Sequence, residues 1–75
     1  TIRYALPEEG RITLSIFNVS GQQVRTLVNE WQQAGTHAVH WDGKDESGRE
    51  AGSGIYLCRM KTGAFSQVNK MVLLR

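Results

Sequence analysis

The sequence holds a single cysteine, Cys58, so no internal disulfide can staple it. Its single proline, Pro7, leaves little to break strands elsewhere. No apolar stretch approaches the ~20 residues that a membrane-spanning helix needs. Neither a signal peptide nor an initiating methionine is present, and the chain opens on Thr1; we expect a piece of a longer protein, with any targeting signal upstream. Charge of one sign is also lacking: nine Lys and Arg face seven Asp and Glu, for a formal charge of +2. No run of basic residues forms a stripe, which argues against nucleic acid. What remains is one small domain of 75 residues, 40% hydrophobic and 21% charged. Those fractions suit a globular fold, although a chain this short buries only about 60% of its unfolded surface.

The apolar pattern has a period of two. In "TIRYAL", Ile2, Tyr4 and Leu6 alternate with Arg3 and Ala5, and Pro7 ends the run. "RITLSIFNV" sets Ile12, Leu14 and Ile16 on one face and Thr13 and Ser15 on the other, as a half-buried strand does. Ser20 and Gly21 turn the chain into "VRTLV", which predicts a hairpin. "NEWQQAG" reads as a brief helical turn or a loop closed by Gly35. "THAVHW" alternates again, with Val39 and Trp41 on the face of His37. After a glycine-rich loop, "GIYLCRMKT" and "SQVNKMVLLR" flank Gly63 as a second hairpin. No segment longer than a turn carries a helical repeat. The expected fold is all-β, a small antiparallel immunoglobulin-like β-sandwich of six to seven strands spanning residues 1–75 as a single domain. Its expected core comprises Leu14, Ile16, Val39, Trp41, Tyr56, Cys58, Met71 and Leu73.

Candidate chemistry is sparse. His37 and His40 stand three apart, and on a strand that spacing points them to opposite faces, so one zinc ion cannot reach both. Cys58 lies on the face of Tyr56 and Met60 and reads as a buried, inert thiol rather than a nucleophile. "NVS" at 18–20 matches a glycosylation sequon, yet Asn18 and Ser20 equally shape the turn before Gly21. The loop "DGKDESGREAGSG" offers Asp42, Asp45, Ser47 and Glu50 as oxygens. Lys44 interrupts them, however, and position 53 is Ser where a calcium loop needs a bidentate acid. Asp before Gly makes side-chain-to-backbone turns instead, and Asp42, Gly43, Gly48 and Gly54 are the expected turn residues. No catalytic, cofactor or metal site is expected.

The order of these words resembles the FlgD-type immunoglobulin-like domain. It is carried by "IRYALPEEGRITLSIFNVSGQQVRTLV", "AGTHAVHWDGKDESGREAGSGIYLCRM" and "KMVLLR", with "WDGKDESG" and "SGIYLCRM" as the most specific stretches. The "SGIY" strand and the basic–apolar last strand are also similar to type IX secretion C-terminal sorting domains. "NEWQQ" departs from the proline-containing turn usual there, and Cys58 replaces an aromatic or aliphatic residue. The resemblance implies a seven-stranded, non-catalytic sandwich in which Trp41 anchors the inner face. It also implies a C-terminal module of a secreted or surface-bound bacterial protein, serving export, sorting or attachment. A spacer packed on an upstream catalytic domain and a flagellar hook-capping domain are the alternatives. The expected partners are secretion or cell-surface machinery, or the parent protein's upstream domain, with no nucleic acid and no membrane insertion. "MVLLR" is apolar on both faces: Met71 and Leu73 close the sandwich, while Lys70, Val72, Leu74 and Arg75 form the candidate interaction surface.

Overall fold

The computed structural model of the chain describes residues 1–63 and 66–74. Six strands follow one another: β1 (Ile2–Leu6), β2 (Gly10–Asn18), β3 (Gln23–Gln32), β4 (Gly35–Val39), β5 (Gly54–Thr62) and β6 (Ser66–Leu73). Two hairpins, β2–β3 and β5–β6, join along β2 and β5 into an antiparallel sheet ordered β3-β2-β5-β6. β1 and β4 pair with each other, Ile2 opposite Val39 and Leu6 opposite Gly35, and form a second, two-stranded sheet. The sandwich is therefore four strands against two.

The strict alternation of β2 is what builds the core. Ile12, Leu14 and Ile16 all point inward and are at most 1% exposed, each contributing roughly 1.5–3 kcal/mol of burial. β5 answers from the neighbouring strand, with Met60 opposite Leu14 and Cys58 opposite Ile16. Leu6, Val28, Trp41 and Tyr56 complete the buried cluster, and Val39, Met71 and Leu73 pack against it half-buried. Ser15 faces the other way and is nonetheless buried, because β2 is central and its lateral partners Thr26 and Arg59 flank it.

Three expectations need correction. "NEWQQ" is neither helix nor loop: Asn29–Gln32 continue β3, with Trp31 opposite Arg11 and Glu30 opposite Ile12. Their polarity hid the strand, which is revealed by its pairing with β2. The register also slips twice along β3, at Leu27 and Val24, so that Val24, Leu27 and Val28 all turn toward the core. Such bulges put two residues opposite one and break simple alternation. Finally, β4 ends at Val39, so Trp41 reaches the core from beyond the strand, and Gly54 is the first residue of β5 rather than part of the turn.

Candidate functional site

The glycine-rich loop is held by its own backbone and by two aspartates. Asp42 Oδ1 accepts from the Lys44 amide at 3.0 Å and from Arg25 Nη1 at 2.7 Å, the latter as an ion pair. Asp45 Oδ1 accepts from the Ser47 amide (2.9 Å), the Ser47 hydroxyl (2.7 Å) and the Arg49 amide (3.0 Å). Both carboxyl groups lie below the usual carboxylate range. At Asp42, partial desolvation opposes the lowering, and the Lys44 amide with the Arg25 guanidinium outweighs it. At Asp45, the Ser47 hydroxyl and then the Arg49 amide stabilise the charged form. Gly43 (φ +77°) and Gly48 (φ +88°) adopt the left-handed backbone that these tight turns require. Lys44 and Glu50 form an antiparallel bridge, and the Ala51 amide donates to the Gly43 carbonyl.

The loop also closes one side of the large sheet. The Glu46 amide donates to the Val24 carbonyl at 3.1 Å, and Glu46 Oε1 accepts from the Thr26 amide at 3.2 Å. β3 is an edge strand, and these bonds cover the edge where its bulges lie. The loop is anchored inward by Trp41, whose Nε1–H donates to the Lys44 carbonyl at 2.9 Å. The Trp41 indole meets Tyr56 edge-on, with ring centroids 5.2 Å apart. Tyr56 in turn donates its hydroxyl proton to the Gly52 carbonyl, four residues upstream, at 2.6 Å.

The opposite edge is treated differently. Among the described residues β6 pairs on one side only, with β5. Val72 (61% exposed) and Leu74 (83%) face outward, Lys70 is exposed, and Val72 sits opposite the exposed Ile55 of β5. Arg75, the fourth residue of the expected surface, lies outside the described residues, as do Ala64 and Phe65.

A family model for the FlgD Ig-like domain matches residues 1–64. The chain belongs to the FlgD Ig-like domain family. A solved structure, FLGD from P. aeruginosa, superimposes with a TM-score of 0.73 at 25% identity, over 93% of this chain and 55% of that one. The chain thus spans about half the length of that relative. No curated protein sequence matches it.

A FlgD Ig-like domain is a structural, non-catalytic kind of domain. Among the described residues no three His, Cys, Asp or Glu side chains converge as metal ligands would. His37 stacks on Tyr4, its partner across β1 and β4, with centroids 5.4 Å apart, and its Nε2 lies 2.7 Å from the Gln33 carbonyl. His40 stands exposed beyond β4. Cys58 is buried, and desolvation pushes its thiol pKa up, away from the reactive thiolate. Asn18 uses its side chain locally: Oδ1 accepts from the Ser20 and Gln22 amides and Nδ2 donates to Gln22. Two features escaped the sequence reading. The Tyr56–Gly52 bond is the tyrosine corner of immunoglobulin-like sandwiches, for which "GSGIY" was the available signal. The cover that Glu46 places over β3 joins residues 20 and 22 apart in sequence, and no local pattern announces it.

Proposed function

We propose that this FlgD Ig-like domain is a non-catalytic docking module of a longer bacterial protein. It holds that protein, through β6, to secretion or cell-surface machinery or to the parent's own upstream domain. One observation carries the reading: the two edges of the large sheet are unequally protected. The β3 edge is covered by Glu46, while β6 has one strand partner and presents Lys70, Val72 and Leu74. Natural sheets blunt exposed apolar edges that serve no purpose, since these invite aggregation, and an open edge is a recurrent platform for partner strands. Sorting by the type IX route is one form of this role, supported by "SGIY" and the basic–apolar "KMVLLR". It places the parent outside the cell or on its surface.

The test is the double variant Val72→Lys plus Leu74→Glu in the parent protein, followed by its export and retention. Both side chains face solvent, so the domain should stay folded while the parent is mislocalised. A folded variant that is exported and retained normally refutes the docking role. A flagellar hook-capping role is a second reading, favoured by the superposition on FLGD from P. aeruginosa. Exchanging this domain for the matching half of that protein and scoring motility tests it, with restored swimming as the expected result.

A further inference from the structure

Strand pairing assembles a charge pattern that the linear sequence conceals. Arg11 of β2, Arg59 and Lys61 of β5 and Lys70 of β6 are all exposed, and strand alternation puts all four on the outer face of the large sheet. The seven acids lie elsewhere: Glu8 and Glu9 between β1 and β2, Glu30 in register with inward-facing Ile12, and the other four in the 42–50 loop. The Arg25–Asp42 ion pair involves none of these four cations. Arg11 donates to the neutral Asn29 side chain at 3.0 Å, and Arg59 lies 4.7 Å above the Phe17 ring. Both guanidinium groups are thereby held by neutral partners on the sheet.

At the open edge this charge is framed by apolar side chains. Along the outer face of β6, Lys70 stands between Val68 (55% exposed) and Val72 (61% exposed). A strand added beside β6 would set its own outward residues directly opposite these three, because cross-strand partners face each other about 5 Å apart. From this geometry we infer that β6 binds an extended acidic protein segment with an aliphatic residue, a carboxylate and an aliphatic residue at alternate positions. The carboxylate lies opposite Lys70, with Arg59 in the next row to deepen the positive potential. The inward-facing positions of the same segment lie beside Gln67, Asn69 and Met71 and suit small or polar residues. A duplex nucleic acid fits less well, since the cations are flanked by aliphatic groups that offer phosphates nothing. A membrane fits less well too, since the apolar residues alternate with the charge along one strand rather than form an apolar patch of their own.

This inference rests on the docking role of β6, and its test is separable from the parent-protein experiment. Two synthetic nine-residue peptides are titrated into the isotope-labelled chain: Val, Glu and Val at alternate positions among threonines, and the same peptide with Lys for Glu. A 12-base-pair DNA duplex and phosphatidylglycerol vesicles are titrated alongside. The expected result is that the Glu peptide shifts the amides of β6 and slows their hydrogen exchange, with a Kd about ten-fold below that of the Lys peptide. Added salt should narrow that gap. Lys70→Glu should reverse the preference, and Lys70→Ala should abolish it without reversing it. Equal binding of the two peptides, no binding of either, or preferential binding of DNA or vesicles overturns the inference. Each of those outcomes leaves the docking role itself to the Val72→Lys/Leu74→Glu parent.

Discussion

Trp41→Ala should nearly unfold the domain. The indole is 8% exposed, meets Tyr56 edge-on and donates to the Lys44 carbonyl. It therefore ties the core to the first turn of the glycine-rich loop. Truncating a buried Trp to Ala costs about 3–5 kcal/mol through lost burial and the cavity left behind. A chain of 75 residues has in total about 4–11 kcal/mol of stability, at roughly 0.05–0.15 kcal/mol per residue. The substitution thus removes between about a quarter and all of it. With a urea dependence near 1 kcal/mol per molar, the midpoint should fall by about 3 M or the folded state should vanish, read by far-ultraviolet circular dichroism. Trp41→Phe keeps an aromatic edge against Tyr56 but loses the hydrogen bond, and should fall between the two. In a Trp31→Phe background the fluorescence reports Trp41 alone, and its emission should be blue-shifted when folded. A loss below about 1 kcal/mol for the alanine variant, or solvent-like emission from the folded protein, refutes the anchoring role.

Tyr56→Phe removes the bond to the Gly52 carbonyl and should cost about 1 kcal/mol, measured as the change in urea midpoint at unchanged slope. Asp45→Ala should lower the midpoint at pH 7, since three donors lose their shared acceptor. Because the folded-state pKa of Asp45 is depressed, its contribution is fully present above the ordinary carboxylate value of about 3.9. That contribution disappears as pH falls through the folded value. The gap between wild type and Asp45→Ala should therefore close in acid, and a gap that widens would contradict the assignment. Millimolar calcium should leave the melting temperature unchanged, because Asp42 and Asp45 already accept from protein donors. A ligand at 100 times its Kd would add about 2.7 kcal/mol, a shift of several degrees. Cys58 should resist a thiol reagent in the folded domain and react stoichiometrically in urea, monitored by absorbance; fast labelling without denaturant would contradict its burial.

The parts of the fold that the sequence disclosed are those governed by a single periodicity. Ile12, Leu14 and Ile16 announce β2 because a central strand must be apolar on its inner face and nothing interrupts the alternation. The same rule set Val72 and Leu74 outward from Met71 and Leu73. It failed on β3, where two bulges turn Val24 and the adjacent Leu27 and Val28 toward the core together, and where polar Asn29–Gln32 are extended in pairing with β2. The glycine-rich loop was legible as turns, since Asp42, Asp45, Gly43 and Gly48 carry local chemistry. That it also shields the β3 edge depends on contacts distant in sequence. The cationic face was the least visible feature, because its four members come from three strands and meet only once those strands are in register.

The two-stranded sheet has a consequence for the order in which the molecule opens. Each hairpin of the large sheet closes locally, whereas β1 must find β4 across the β2–β3 hairpin, with Ile2 opposite Val39, and β2 must find β5 across a longer stretch still, with Ile12 opposite Thr62. Non-local closure of that kind is slow, because chain entropy is lost before any contact compensates it. β1 and β4 have no strand neighbours beyond each other among the described residues. Their amides should open first in the native state, exchanging with solvent through local fluctuations that leave β2 and β5 intact.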